Sequence, residues 1–342
     1  MKFIEYLKLL NRKHVKLKSQ NGIALLMAIM IVALVSIISV NMLTQRQLQI
    51  YRTSNLYFRA QAYQFSLGIE RWGMSVLSQD FEEGKKSNKG NNAQYDSNQD
   101  IWNTALVNFD VEEATITAVI FDLQGRLNLN NLLVKGKVDV KWVESYKRLL
   151  KALDLPSSLA FTLVDWMDNN EQPTGSDGAE DIYYIALDEP YRAANQPLTH
   201  VSELLLIKGY TPAVIDTLKP YVFAAEEVTA VNVNISSIPV LQAVIPGITE
   251  SQADSIISEI EISPFTSIAD FMKNPDLKNK PIDMSQIGIS SYYFSVNSYV
   301  TIDKTQVNLQ SIINRDKLGN VSVQSRQESL WYEKSIVQDT TE

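Results

Sequence analysis

The chain has 342 residues, with 39 acidic against 31 basic side chains, no cysteine and two histidines, for a formal net charge of -8. That length accommodates two folded domains plus a membrane segment. The absence of cysteine excludes a thiol nucleophile, a thiolate metal site and a disulfide framework. His14 and His200 cannot by themselves build a multi-histidine metal site, and the acidic balance is the opposite of a nucleic-acid footprint.

The basic charge crowds the start. Lys2, Lys8, Arg12, Lys13, Lys16 and Lys18 stand against the single acid Glu5, and no charge follows until Arg46. A hydrocarbon core of roughly 30 Å needs about 20 apolar residues, which this run supplies. Three readings compete for it. A Sec signal peptide wants a small-residue cleavage site after the apolar run, and none is clear. A signal anchor would use the clustered Lys and Arg to hold the N-terminus in the cytoplasm. A prepilin-like signal would be cut between Gly22 and Ile23, before the apolar run.

The helix signal continues past Arg46 to about Ser78, without proline and with Gly68 and Gly73 as its interior glycines. Ile50, Tyr57, Phe58, Phe65, Ile69, Trp72 and Val76 are spaced as an apolar stripe along one side and are expected to face a core. Residues 23–78 would form one helix of about 84 Å. Such a helix, opened by Gly22–Ile23, resembles the N-terminal spine of the type IV pilin and pseudopilin superfamily. The resemblance implies prepilin cleavage after Gly22 and N-methylation of Ile23. It also implies a glutamate at the fifth mature position, where this chain has Met27. A missing carboxylate in lipid is a large change, and within the superfamily its absence is characteristic of the large minor pseudopilin K.

Residues 79–100 are polar and read as an exposed, mobile loop. Ala114–Phe121 alternates as a strand, and Arg126–Leu132 follows the Gln124–Gly125 turn as a second. From Val138 the period is helical, with Trp142, Tyr146, Leu149, Leu150 and Leu153 on one face. A second helix spans Ser157–Met167, residues 168–197 form an irregular acidic loop, and short helices continue to about Gly288. Strand character resumes at Tyr292–Ile302, with Val307–Ile313 and Asn320–Arg326 as further strands. A helical domain inserted into a small antiparallel sheet is the simplest architecture for this order.

The acidic loop holds the richest chemistry. Asp168, Asn170 and Gln172 alternate like the start of a calcium loop, and Glu180 and Asp181, brought round by the Gly175 and Gly178 turns, would complete an oxygen shell for one hard cation. The EF-hand match is imperfect, and a solvated acidic turn is the other reading of the spacing. The run Asp165-Trp-Met-Asp168, Gly178-Ala-Glu180-Asp181-x-Tyr-Tyr, Pro190-Tyr-Arg-Ala-Ala-Asn195-x-Pro-Leu and Val201-Ser-Glu-Leu204 is similar to the signature of general secretion pathway protein K.

That resemblance, from Gln20 to about Trp331, implies structural Ca2+ held by Asp168, Asn170, Asp177, Glu180 and Asp181, with Asp165 as a weaker ligand. It implies an α+β, type IV pilin-like fold: a long N-terminal helix packed on a small antiparallel sheet, with a large all-α domain of helix-hairpin-helix or SAM-like units inserted. The expected organisation is a cytoplasmic leader at 1–22, transmembrane and periplasmic halves of the helix at 23–43 and 44–80, a first part of the sheet at 81–135, the helical insert at 136–290, closing strands at 291–334 and a disordered tail at 335–342. Expected partners are minor pseudopilins I and J, a prepilin peptidase, the inner-membrane assembly platform and lipid around 23–43. The protein would be single-pass in the inner membrane of a Gram-negative bacterium, with a periplasmic body and no enzymatic activity.

A weak repeat relates Leu198–Tyr210 to Val233–Ile248, and Pro264–Phe271 begins another such unit. Helix-hairpin-helix modules often bind DNA through a glycine turn flanked by basic residues. Pro246-Gly247-Ile248 is instead followed by Thr249, Glu250, Asp254 and Glu259, so packing is the expected role. A membrane-anchored hydrolase using Asp165, Asp168 and Glu180 with a metal is the alternative in another class, as is a membrane-tethered DNA-binding protein.

Overall fold

A computed structural model describes residues 21–87 and 95–328 of the chain; the predicted leader up to Gln20 and the tail 335–342 lie outside those residues. The chain divides into two compact units, 1–58 and 59–342. One helix, α1 (Asn21–Ser87), runs from the first into the second. In the first unit its apolar side chains are solvent-facing all round, for example Ile23 (57% exposed), Leu26 (68%) and Met30 (69%). The helix is long and apolar enough to cross a membrane, and none of its most apolar window is buried.

In the second unit α1 packs on a five-stranded antiparallel meander: β1 (Leu106–Val111), β2 (Ala114–Asp122), β3 (Tyr293–Ile302), β4 (Thr305–Arg315) and β5 (Val321–Glu328). The buried face of α1 differs from the expected stripe by about a third of a turn. Ala62, Ser66, Ile69, Glu70, Gly73, Leu77 and Phe81 are buried, whereas Ile50 and Tyr57 are 67% and 64% exposed. Small residues let the helix backbone approach the sheet, and a Cβ on Gly73 would lie 2.7 Å from Val296 Cγ2. Glu70, buried on this face, accepts hydrogen bonds from Ser311 Oγ (2.7 Å) and from Arg326 Nε and Nη2 (2.6 and 2.8 Å), tying α1 to β4 and β5. Burial raises the Glu70 carboxyl, but these partners more than offset it and hold it below its ordinary value.

The helical insert takes the place of a hairpin loop between neighbouring strands. Asp122 pairs with Phe294 across β2 and β3, and residues 123–292 lie between. Arg126–Leu132 is therefore not the second strand that its alternation suggested. Only Leu127–Asn128 is extended, pairing parallel with Val222–Phe223 inside the insert, and Leu129–Leu132 is a buried 3-10 turn. Likewise residues 79–100 are not one exposed loop: α1 continues to Ser87, and Asp96 and Ser97 are buried. The first sheet strand, β1, carries no clear alternation of its own; three of its six residues are exposed.

Inside the insert α2 (Val140–Ala152) starts at Asp139, whose side chain accepts from Lys141 N and Trp142 N, and buries Trp142, Tyr146, Leu149 and Leu150. It is followed by α3 (Leu159–Met167), α4 (Asp181–Ile185), α5 (Pro212–Leu218), α6 (Ile238–Val244), α7 (Glu250–Ile262) and α8 (Ile268–Phe271). Their apolar faces form one continuous core.

Two asparagine motifs reveal a repeat in a register other than the one the helices suggested. Asn130 accepts from Leu198 N (2.8 Å) and donates to Leu198 O (2.8 Å). Asn234 does the same with Phe265 N (2.9 Å) and O (3.0 Å). Each motif follows a two-residue parallel bridge, Leu127–Asn128 with Val222–Phe223 and Val231–Asn232 with Ile287–Gly288. Each anchored residue follows a proline (Pro197, Pro264) and leads into a short helical turn, Val201–Leu206 or Ile268–Phe271. In the second copy only Ser263 separates α7 from Pro264; in the first, residues 168–196 separate α3 from Pro197. The acidic loop is thus an insertion into a module that closes without it.

Candidate functional site

The loop is built around Asp165, fully buried on the last turn of α3. Its oxygens accept from Thr174 N (3.0 and 3.1 Å) and Ala179 N (2.7 Å), folding the two ends of the first half-loop onto one carboxylate. Gly178 is required there by close approach, since a Cβ would run into the Asp165 carboxylate and lie 2.6 Å from Thr174 N. Asp168 caps the end of α3 and is 4% exposed. It accepts from Asn170 N (3.2 Å) and Asn170 Nδ2 (2.8 Å), and Asn170 Oδ1 in turn accepts from Gln172 N (2.8 Å).

Glu180 immediately precedes α4 and is 3% exposed, with Oε1 buried and without a hydrogen-bond partner. Burial, then the charges of Asp165, Asp168, Asp181 and Glu171, push its carboxyl up to about 7. Burial raises Asp168 as well, with Asp165 adding to it. Asp181 accepts from Ala193 N (2.9 Å) and lies 3.6 Å from Arg192. Asp177 is exposed, and its backbone oxygen accepts from Lys208 Nζ (3.2 Å). The structure therefore sets Asp165, Asp168 and Asp181 near enough to Glu180 for their charges to act on it, with Asn170 bonded to Asp168 and Asp177 on the outside.

An aromatic cluster supports this group from below. Tyr184 of α4 packs edge-on to Trp166 (5.2 Å between centroids) and beside Tyr191 (5.3 Å). Asn195 N donates to Trp166 O (2.9 Å), and Asn195 takes a left-handed backbone (φ 49°) with its Oδ1 buried and unpartnered. The spacing of the acids did not single out Asn195; its place two residues before the second proline of the motif was the available signal. Among the described residues, the three acids whose ligand atoms lie within 4.8 Å of one another are elsewhere, at Asp80, Asp96 and Asp100.

Gly22, Ile23 and Met27 lie in α1, with Met27 55% exposed and open space where a Gly22 Cβ would stand. The helix-hairpin-helix turn is already occupied: Lys280 Nζ donates to Gly247 O and to Gln252 Oε1 (3.1 Å).

Comparison with known proteins places this architecture. Two family models described as type II secretion system protein K match residues 125–227 and 231–290, the two copies of the asparagine-anchored module. The type II secretion system protein K of Pseudomonas aeruginosa is 33% identical over 90% of this chain and 93% of its own length. The chain belongs to the type II secretion system protein K family. Proteins of that name from Aeromonas hydrophila and Klebsiella pneumoniae are each 29% identical, over 88% and 91% of this chain and 94% and 98% of theirs. The fold is also that of a chain in the crystal structure of the GspK–GspI–GspJ complex from enterotoxigenic Escherichia coli, with a TM-score of 0.69 and 22% identity, covering 82% of this chain and 100% of that one. The protein is accordingly a minor pseudopilin-type component of type II secretion, and α1, the one helix among the described residues long and apolar enough to cross a membrane, fits a single-pass anchor.

Proposed function

We propose that this chain joins minor pseudopilins I and J in the complex that starts pseudopilus assembly. Membership of the protein K family, at 33% identity over 90% of the chain, carries this reading, and the complex named for its structural neighbour supplies the partners. In it, α1 is cut between Gly22 and Ile23 by a prepilin peptidase, methylated at Ile23, held in the inner membrane by 23–43 and engaged by the assembly platform. The body then lies in the periplasm. Met27, in place of a glutamate, leaves no carboxylate to pair with a neighbour's amino terminus, which suits a subunit with no neighbour on one side. Deleting the protein from its bacterium is expected to stop exoproteins reaching the medium. Normal export without it would overturn the reading.

The acidic loop is proposed as a calcium site. The buried, unpartnered Oε1 of Glu180 among four other acids fits a hard cation, because burial of like charges without compensation is unfavourable. Asp168 and Glu180 would be its principal ligands, with Asn170, Asp177, Asp181 and the more fully engaged Asp165 of the expected set around them. Bound calcium would supply the charge that fixes this insertion on its aromatic support. Calcium is expected to raise the melting temperature of the wild type, and an identical response from an Asp168→Ala, Glu180→Ala double variant would refute the ligand assignment.

A further inference from the structure

The end of α1, the segment 95–103 and the returning root of the insert meet over one buried guanidinium. Arg315, the last residue of β4, is 1% exposed. Its Nη1 donates to Asp80 (3.0 Å), and its Nη2 donates to Asp96 and to Ser291 O (3.0 Å). Asp96 Oδ2 also accepts from Ser291 N (2.7 Å), and its backbone oxygen accepts from Asn232 Nδ2 (3.1 Å). Residues of the insert and of the pilin-like core thus share one aspartate. Asp100, which accepts from Ser97 N (2.7 Å), stands within the same 4.8 Å group as Asp80 and Asp96. Asp122, at the exit from β2, accepts from Gln124 N (2.6 Å) and Gly125 N (3.2 Å).

The charges are unbalanced. α1 contributes Asp80, the 95–103 segment Asp96 and Asp100, β2 Asp122, and β4 Arg315; Ser291, from the returning chain, is neutral. Lys85, the next cation along α1, is directed to Glu82 (3.0 Å) and to the Phe81 ring (4.4 Å). Four carboxyls stand here against Arg315, with Arg126 lining the hollow beside Asp122, and gathering so many like charges away from water is unfavourable. Burial, then the charge of Asp100, pushes the Asp80 carboxyl up to about 7. Burial, with the charge of Asp96, does the same to Asp122.

We propose that this cluster is a proton-operated latch: protonated, it fastens the end of α1 and segment 95–103 to the root of the helical insert, and ionised, it repels itself and loosens that junction. Both groups stand above their ordinary value of 3.8, so their stabilisation is complete below about pH 4 and is lost as pH rises through 7. Glu180 titrates in the same window from the acidic loop, so the test is run on full-length Glu180→Gln protein in detergent micelles. Amide hydrogen exchange, corrected for intrinsic rates, is compared between about pH 5.5 and 8.5. Protection of 95–103 and 286–292 is expected to fall about tenfold on going to the higher pH, while the centres of α2 and α7 change little. Adding Asp80→Asn and Asp122→Asn, which mimic the protonated acids, is expected to preserve protection at the higher pH. Equal protection at both pH values, or an unchanged pH response in the Asn variants, would overturn the proposal. Protection restored at high pH by calcium, and lost with Asp80→Asn, would overturn it too, because the cluster would then be a cation site.

Discussion

Replacing Asn130 by alanine separates the stability of the helical module from the work of its acidic loop. Asn130 is 5% exposed and bonds Leu198 N and O at 2.8 Å each, with a third bond to Ala225 O at 3.0 Å. Ala225 O also receives Asn128 Nδ2 (3.3 Å), so the substitution strands mainly the two groups of Leu198. A buried polar group left unpaired costs about 1–3 kcal/mol, which makes the expected loss about 4 kcal/mol. For a body of this size that corresponds to a fall in melting temperature of about 7 °C. Leu198 is also where the chain leaves the acidic loop, so the calcium response should weaken with it. Asn234→Ala strands the same two groups on Phe265 and should cost as much, yet leave the calcium response intact. Thermal unfolding of full-length protein in detergent, with and without calcium, reads both quantities. Losses below about 1 kcal/mol, or calcium responses that fall equally in the two variants, would refute the reasoning.

Further outcomes follow from single contacts. Gly178→Ala places a Cβ against the Asp165 carboxylate and the Thr174 backbone, and chemical denaturation should show a loss of about 2 kcal/mol with a diminished calcium response. Without calcium, Glu180 favours its protonated form above the ordinary 4.5, so its contribution to stability declines as pH rises towards 7; Glu180→Gln should flatten that part of the melting-temperature profile. Calcium should reverse the trend in the wild type, because its ligands bind deprotonated. Gly73→Leu drives a large side chain into Val296 where even a Cβ stands 2.7 Å away, and equilibrium unfolding should register a loss of about 2 kcal/mol or more.

The broad architecture was legible because each level of the pattern agreed. The uncharged run from Ile23, the change of period at Val138 and the returning strands from Tyr292 all correspond to elements of the fold. What was hidden depended on contacts distant in sequence. Asn128 and Asn130 imitate the polar positions of an alternating strand, but their side chains satisfy backbone groups of Leu198, Ala225 and Glu227, so the segment turns instead of extending. Much of the buried face of α1 is small or polar, at Ala62, Ser66, Glu70 and Gly73, and so carries no signal of large apolar spacing. Asp80 and Asp96 sit in a stretch whose polarity suggested solvent, and Arg315, far along the chain, bonds both. In the acidic loop, Asp168, Glu180 and Asp181 were identifiable from spacing and resemblance. The capture of Asp165 by backbone amides, and the unpartnered Asn195 Oδ1, required the folded chain.

The most direct test of the central claim is native mass spectrometry of the full chain co-expressed with prepilin peptidase and with minor pseudopilins I and J of its own system. The expected result is a complex containing all three subunits, in which this chain has lost residues 1–22 and begins at methylated Ile23. A chain of unshifted mass that runs apart from both partners would contradict it.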